Sequence, residues 1–432
     1  MGDRMTCALI WGEGSQDNKG GTGPIAGGEI KADACPTRPF AGKCGKLTGG
    51  GVTAMHRIPV VAAVGLALTA APAAAQITKA PVQQSPRPVK VEAFAKGLVH
   101  PWGLAFLPDQ RLLVTERPGR LRLLSREGEV LSPIGGVPEV YASGQGGLLD
   151  VALAPDFTSS RLIYLSFAEP RGGGKNGTSV ARGRLAATDS GGRLEDVQVI
   201  FRQEPAYASS HHFGSRLVFM PDGSLFVTAG ERFSQREEAQ NPGNHIGKLM
   251  RLLPDGSAYA GNPKRPGWRP EVWSIGHRNV QAAALNPASG RLWTIEHGAR
   301  GGDEVNIPEA GKNYGWPVIS YGRNYDGSKI GVGTHKADME QPVYYWDPSI
   351  APSGAAFYTG ALFPDWRGNL FVGALAGQAL HRLVLDGDKV VGEEILLSDL
   401  GARIRDVRQG VDGALWLLTD ETQGRVLRLV PG

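Results

Sequence analysis

Leu217-Val218-Phe219-Met220-Pro221-Asp222-Gly223-Ser224-Leu225-Phe226-Val227-Thr228 is the stretch that decides the fold. A few apolar residues run into Pro-Asp-Gly and out again into a second apolar strand. Proline presets φ and glycine accepts φ > 0, so the hairpin turn has a physical cause. The same phrase recurs along the chain. Trp102 to Asp109 leads into Arg111 to Thr115, and Asp150 to Pro155 into Leu162 to Leu165. Ala282 to Pro287 leads into Arg291 to Ile295, and Val407 to Gly413 into Leu415 to Thr419. Ala355 to Tyr358 leads, after a longer turn, into Asn369 to Gly373.

Both faces of these strands are apolar, so each sheet is expected to be covered on both sides. Sheets stacked around an axis satisfy that, and propellers have ~4–8 of them. The repeats predict an all-β protein, a six-bladed β-propeller over residues 97–432. A β-sandwich is the rival, but a sandwich has no need of six copies of one phrase. Residues 76–96 read as an extended tether and a ring-closing strand. In it, Val89 to Ala93 is expected to join Arg425 to Leu429.

The chain has 432 residues, with 46 Lys and Arg against 42 Asp and Glu. At 41% hydrophobic residues and a net charge of +4, it is neither disordered overall nor a strongly basic nucleic-acid binder. The only cysteines, Cys7, Cys35 and Cys44, lie in a Gly-rich stretch without helical or strand period. Gly42-Lys43-Cys44-Gly45-Lys46 fails as a phosphate loop, because Phe40 stands where its first glycine belongs. Residues 1–54 therefore read as a spurious or upstream extension, disordered. Met55-His56-Arg57 begins a basic start, an apolar run to Ala71 follows, and Ala73-Ala74-Ala75 offers small residues for cleavage. Residues 55–75 read as a signal peptide, with the mature chain starting at Gln76. The run is shorter than the ~20 apolar residues of a membrane span. An exported chain without cysteines must be stable through its core or a bound metal.

Function is expected in the loops at one end of the strands. Gly144-Gln145-Gly146-Gly147 is no dinucleotide fingerprint, since Leu149 replaces the third glycine. His211-His212 precedes the third repeat; neighbours on a strand face opposite ways, so one of the two is expected to face the site as a general base. Gly276-His277-Arg278-Asn279 precedes the fourth. Glu296-His297-Gly298-Ala299-Arg300-Gly301-Gly302-Asp303-Glu304 gathers oxygen donors on a Gly-bent loop, which suits Ca²⁺ but lacks EF-hand spacing. Arg403 and Arg405, two residues apart on a strand, share a face and suit a carboxylate-rich ligand. Tyr344 and Trp346 sit in a loop-like context and are candidate lining for a sugar pocket.

In this order the clusters resemble the soluble quinoprotein glucose/sorbosone dehydrogenase family, most closely its periplasmic PQQ-dependent aldose sugar dehydrogenases. The likeness runs from Gly97 to Pro431. It rests on Gly144 to Gly147, His212 to Leu217, Arg278-Asn279, Glu296 to Glu304, Gly311 to Pro317 and Arg403 to Val407. The resemblance implies a six-bladed propeller in the periplasm, acting on an aldose and passing electrons to an external acceptor. By it, His212 takes the proton of the sugar C1 hydroxyl while the hydride goes to PQQ (pyrroloquinoline quinone), leaving a lactone. It gives Arg278 and Asn279 the quinone oxygens, and makes Gln145, Tyr325, Arg403 and Arg405 cofactor contacts. The carbonyls of Gly298 and Ala299 would hold a Ca²⁺ beside PQQ, and Glu304 and Tyr314 a second one. Two departures stand out. Ala376 occupies the place of a cofactor-contacting Lys in relatives with strong glucose activity, and short loops imply a monomer. A calcium-dependent propeller lactonase and a non-catalytic secreted propeller are the rival readings.

Overall fold

The computed structural model describes residues 79–432; the expectations for residues 1–54 and for the signal peptide at 55–75 lie outside them. The chain is almost entirely strand. β1 (Val89–Leu98) is followed by a first unit of β2 (Pro101–Phe106), β3 (Leu112–Glu116), β4 (Arg120–Leu124) and β5 (Val130–Gly135). A second comprises β6 (Leu148–Leu153), β7 (Leu162–Pro170), β8 (Asn176–Ala187) and β9 (Gly192–Arg202). A third comprises β10 (Leu217–Phe219), β11 (Leu225–Ala229), β12 (Lys248–Leu252) and β13 (Val272–Ile275). Next come β14 (Val280–Leu285), β15 (Leu292–Glu296), β16 (Asp303–Asn306) and β17 (Tyr344–Trp346). They are followed by β18 (Pro352–Phe357), β19 (Leu370–Ala374), β20 (Ala379–Asp386) and β21 (Lys389–Leu396). β22 (Ile404–Gln409), β23 (Leu415–Thr419) and β24 (Gly424–Pro431) end the chain.

These strands make four four-stranded sheets and one eight-stranded sheet among the described residues. The larger sheet joins the first two units through a parallel contact of β5 with β9, Ile134 opposite Gly192 and Gly135 opposite Arg193. β1 completes the last sheet by pairing antiparallel with β24, from Val89 opposite Pro431 to Leu98 opposite Gly424. The opening hairpin forms as its residues dictate: Met220 N donates to Ser224 O, and Gly223 N to Met220 O. The second strands β3, β11, β15, β19 and β23 are buried along their whole length, so both faces of each are covered.

Apolar clusters fill the spaces between neighbouring sheets, including one that packs Trp416 and Leu418 of β23 on Leu104 of β2 and Val114 of β3. The first strands touch in the cycle β2, β6, β10, β14, β18, β22 and back to β2. At the centre of that cycle lies Arg216. Its Nη1 meets Asp150 Oδ1 of β6 at 3.2 Å and Asp406 Oδ1 of β22 at 3.0 Å. Its Nε donates to Gln281 O of β14 at 2.7 Å, and Asp406 accepts from Leu104 N of β2 at 3.0 Å. One buried side chain can reach strands so far apart in sequence only if they surround an axis. This is a β-propeller-type fold.

The tether is not loose. Gln83 N donates to Glu393 O at 2.8 Å, Glu393 N to Pro81 O at 3.0 Å, and Trp366 Nε1 to Ser85 Oγ at 2.8 Å. Residues 81–85 therefore cover the free edge of β21, which would otherwise be an exposed pairing surface. No helix of the described residues is long and apolar enough to cross a membrane.

Candidate active site

His212 sits in the loop entering β10 with φ +51, and Ser215 follows at φ +88. Neither is glycine, and such backbone is tolerated only where the surroundings impose it. Gly230 makes room, since a Cβ there would run into the His212 carbonyl. His212 N donates to Gln145 Oε1 at 2.9 Å, and its Nδ1 lies 2.5 Å from Glu231 Oε1. The pair is buried. Burial, then the nearby Arg278, drives the imidazole well below its usual range. Burial also pushes Glu231 up to about 7, against the pull of Arg278, Arg236 and Arg232. The ring is thus held neutral, with Nε2 left for a substrate.

Arg278 lies on the other side. Its Nη1 donates to Gly298 O at 2.5 Å and His297 O at 3.2 Å, and its Nη2 to Tyr325 Oη at 3.3 Å. Asn279 turns inward and accepts from Gly214 N at 3.1 Å, tying the Arg278 segment to the His212 loop. His297 is enclosed and meets Pro352 O through Nε2 at 2.6 Å. Burial first, then Arg278 and Arg405, pushes its pKa down to about 3. The charges of two guanidinium groups, Arg278 in the loop before β14 and Arg405 on β22, thus both act on one imidazole. At the mouth, Phe233 is 49% exposed, 5.4 Å from the His212 ring, and stacks on Tyr325, which is 63% exposed.

Arg405 is buried and donates to Asp420 Oδ2 at 2.6 Å and Gln281 Oε1 at 2.9 Å. Arg403, more exposed, reaches Leu375 O at 3.2 Å and Asp420 at 3.7 Å. Arg117 Nη2 comes within 3.7 Å of the same carboxylate. These guanidinium charges hold the Asp420 carboxyl well below its usual range, although burial pushes it the other way.

Behind Gly298 is a small cavity lined by Glu296, Glu304, Tyr314 and Trp316, among others. Asn306 Nδ2 donates to both carboxylates at 3.3 Å. Burial, then the charge of Glu296, raises Glu304 well above the usual carboxylate range. Tyr314 Oη is turned to the backbone, donating to Ile307 O at 2.9 Å and accepting from Glu309 N at 3.0 Å. Ala299 closes a tight turn on Gly301. Among the described residues no group of three or more His, Cys, Asp or Glu is placed to hold a metal. Ser274, His277 and Glu296 form a hydrogen-bonded chain of 2.8 and 3.0 Å, but both Ser274 and His277 are fully buried and no substrate reaches that hydroxyl.

Residues 98–428 match the Glucose / Sorbosone dehydrogenase family model. The chain belongs to the glucose/sorbosone dehydrogenase family. It is 48% identical over 352 residues to the aldose sugar dehydrogenase YliI of Escherichia coli, covering 80% of this chain and 94% of the relative. The apo crystal structure of the soluble aldose sugar dehydrogenase of Escherichia coli superposes with a TM-score of 0.77 at 48% identity, over 80% of this chain and all of that one. The PQQ-bound aldose sugar dehydrogenase of Streptomyces coelicolor gives 0.65 at 30% identity, over 80% of this chain and all of that one.

In this family member, loops bring Gln145, His212, Arg278, Asn279, Tyr325 and Arg403 to one end of the ring, where Arg405 sits at the start of β22. Two expected residues lie elsewhere. Tyr344 and Trp346 belong to β17 and the core cluster between neighbouring sheets, not to a sugar pocket. Tyr344 Oη donates to Glu393 Oε2 at 2.7 Å and Trp346 Nε1 to Glu393 Oε1 at 2.8 Å. Buried Tyr and Trp need such a partner for their polar atom, and β21 supplies it. Glu231, Asp420, Arg117 and Phe233 were missed by sequence reasoning. A signal for two of them was available: in four repeats an acid stands at the end of the second strand or within two residues after it, at Glu116, Glu231, Glu296 and Asp420.

Proposed function

We propose that this chain is a PQQ-dependent aldose sugar dehydrogenase, a six-bladed β-propeller that oxidises sugars at the C1 hydroxyl to the lactone. The observation that carries this is guanidinium charge in excess of carboxylate, gathered beside a buried, neutral histidine. Arg278 meets only carbonyls and a phenol, while Arg117, Arg403 and Arg405 share Asp420. The buried Nε atoms of Arg117, Arg278 and Arg405 have no partner within the protein. Buried cations left so need an anionic ligand, and the three carboxylates of PQQ match that need.

PQQ, when bound, supplies the acceptor for the C1 hydride. The chain's own residues do the rest. Glu231 holds the Nδ1 side of His212, and Nε2 takes the C1 hydroxyl proton. Loss of that proton and of hydride leaves a carbonyl at C1, which in a cyclic aldose is the lactone. Gln145 fixes the His212 backbone, and Arg278 places positive charge where negative charge develops on the acceptor. Phe233 and Tyr325 offer the sugar an apolar ring face at the mouth.

The Glu296–Glu304 cavity fits a cation, because like-charged carboxyls enclosed together are relieved by one. We assign Ca²⁺ there, with Tyr314 lining it. The Gly298 carbonyl, by contrast, is engaged by Arg278, which a cation at Gly298 and Ala299 would have to displace. No step is routed through that position. The signal-like segment from Met55 supports a periplasmic enzyme, acting as a monomer on an external electron acceptor.

The test adds PQQ and Ca²⁺ to apoprotein and follows reduction of an artificial acceptor across a panel of aldoses. Sugar-dependent reduction requiring PQQ is expected. Lactone hydrolysis with Ca²⁺ alone, and no sugar-dependent reduction, would sink the reading.

A further inference from the structure

Two clusters of charge lie along the ring's axis, and they differ in their arithmetic. In the inner one, Arg216 and Arg408 face Asp150 and Asp406, two cations against two anions, at 2.8–3.2 Å. That cluster is neutral and needs nothing more. In the outer one, Arg117, Arg403 and Arg405 face Asp420 alone. His100 Nδ1 also meets Asp420, at 3.0 Å. The neighbouring acids cannot help, since Glu116 is held by Arg120 at 2.6 Å and Glu421 by Arg425 at 3.1 Å. Two positive charges stay uncompensated there. Desolvation first, then Arg405 and Arg403, lowers the affinity of Arg117 for its proton.

Arg117 is no stray surface cation. Its Nη1 donates to Gly144 O at 2.6 Å and its carbonyl accepts from Leu148 N at 3.2 Å. Gly147, at φ +134, presses so close that any Cβ would run into that carbonyl. The arginine is therefore anchored at both ends to the loop that delivers Gln145. Its Nε is buried without a partner within the protein.

We propose that Arg117 is an anion-binding residue of the active site, forming with Arg403 and Arg405 a three-guanidinium crown for a polycarboxylate. Under the reading above, on which this rests, that polycarboxylate is the acidic rim of PQQ. Arg117 supplies it with charge and a fixed donor from the first unit, across Asp420 from Arg403 and Arg405.

The test titrates apoprotein with PQQ, following quenching of tryptophan fluorescence, and in parallel measures thermal stabilisation by citrate, a tricarboxylate without a quinone. Arg117→Gln is expected to raise the PQQ dissociation constant about tenfold or more and to reduce stabilisation by citrate, with Arg117→Lys between the two. Without ligand, Arg117→Gln should melt no lower than wild type, because it removes one of three like charges. Equal PQQ and citrate binding by wild type and a folded Arg117→Gln overturns the proposal. So does an unliganded variant that melts well below wild type, and there Arg117→Lys supplies the binding comparison. If wild type binds citrate through Arg117 but does not bind PQQ, the crown stands and the quinone reading falls.

Discussion

His212 Nδ1 and Glu231 Oε1 lie 2.5 Å apart, buried together at the end of β11, so that one proton serves both groups. Two buried groups this close titrate as a unit. Removing the imidazole removes the base: His212→Gln is expected to cut kcat by about 10²–10⁴-fold while PQQ binding stays within a few-fold. Stopped-flow turnover and fluorescence titration check the two halves. A variant that keeps wild-type turnover would exclude His212 as the base.

The same pair sets the pH dependence. Burial raises Glu231 to about 7 and depresses His212, so the second proton enters the pair near pH 7, on the carboxyl side. With Glu231 protonated, the imidazole proton moves to Nε2 and the base is blocked. Activity is therefore expected above about pH 7 and lost as pH falls through it. Glu231→Gln cannot take that proton, so its acid limb should lie below the usual histidine value of about 6.5. The measurement is kcat/KM against pH for both proteins. Coincident profiles would separate Glu231 from the chemistry.

Glu304 and Glu296 share an enclosed space, and burial together with the charge of its neighbour raises the Glu304 carboxyl well above its usual range. Calcium at a hundred times its dissociation constant is expected to stabilise the fold by about 2.7 kcal/mol, a rise in Tm of about 4 °C. Glu304→Gln should lose that rise without melting lower in the absence of calcium. Differential scanning calorimetry with calcium and with chelator decides it.

Phe233 projects at the mouth, 5.4 Å from the His212 ring. Phe233→Ala is expected to raise KM for aldoses about five- to tenfold and to change kcat much less, because it removes a ring face and not a proton acceptor. A fall in kcat with KM unchanged would assign it a different part.

Tyr344 gives the opposite expectation. Tyr344→Phe leaves the Glu393 carboxylate one donor short in the space between two sheets, a loss of about 1–3 kcal/mol in stability. Kinetic constants of the folded variant should match wild type. A raised KM would return Tyr344 to the pocket.

The alternation of apolar strands and Pro-Asp-Gly turns determined the strand hairpins by itself, because turn chemistry and side-chain period are local properties. The order of the polar clusters likewise marked His212 and Arg278, in loops between legible strands, and Arg405, at the start of β22. What only the tertiary structure decided is which groups meet. Glu231 reaches His212 across 19 residues, and Arg117 meets Arg405 over Asp420 from the two ends of the fold. Trp346 looked like a loop aromatic because its strand is three residues long, too short to show a period. Its burial depends on Glu393, 47 residues on in a neighbouring sheet. A local pattern fixes where a strand runs. The closing of a ring, which costs chain entropy and is repaid by apolar surface buried between sheets, sets what lies across its axis.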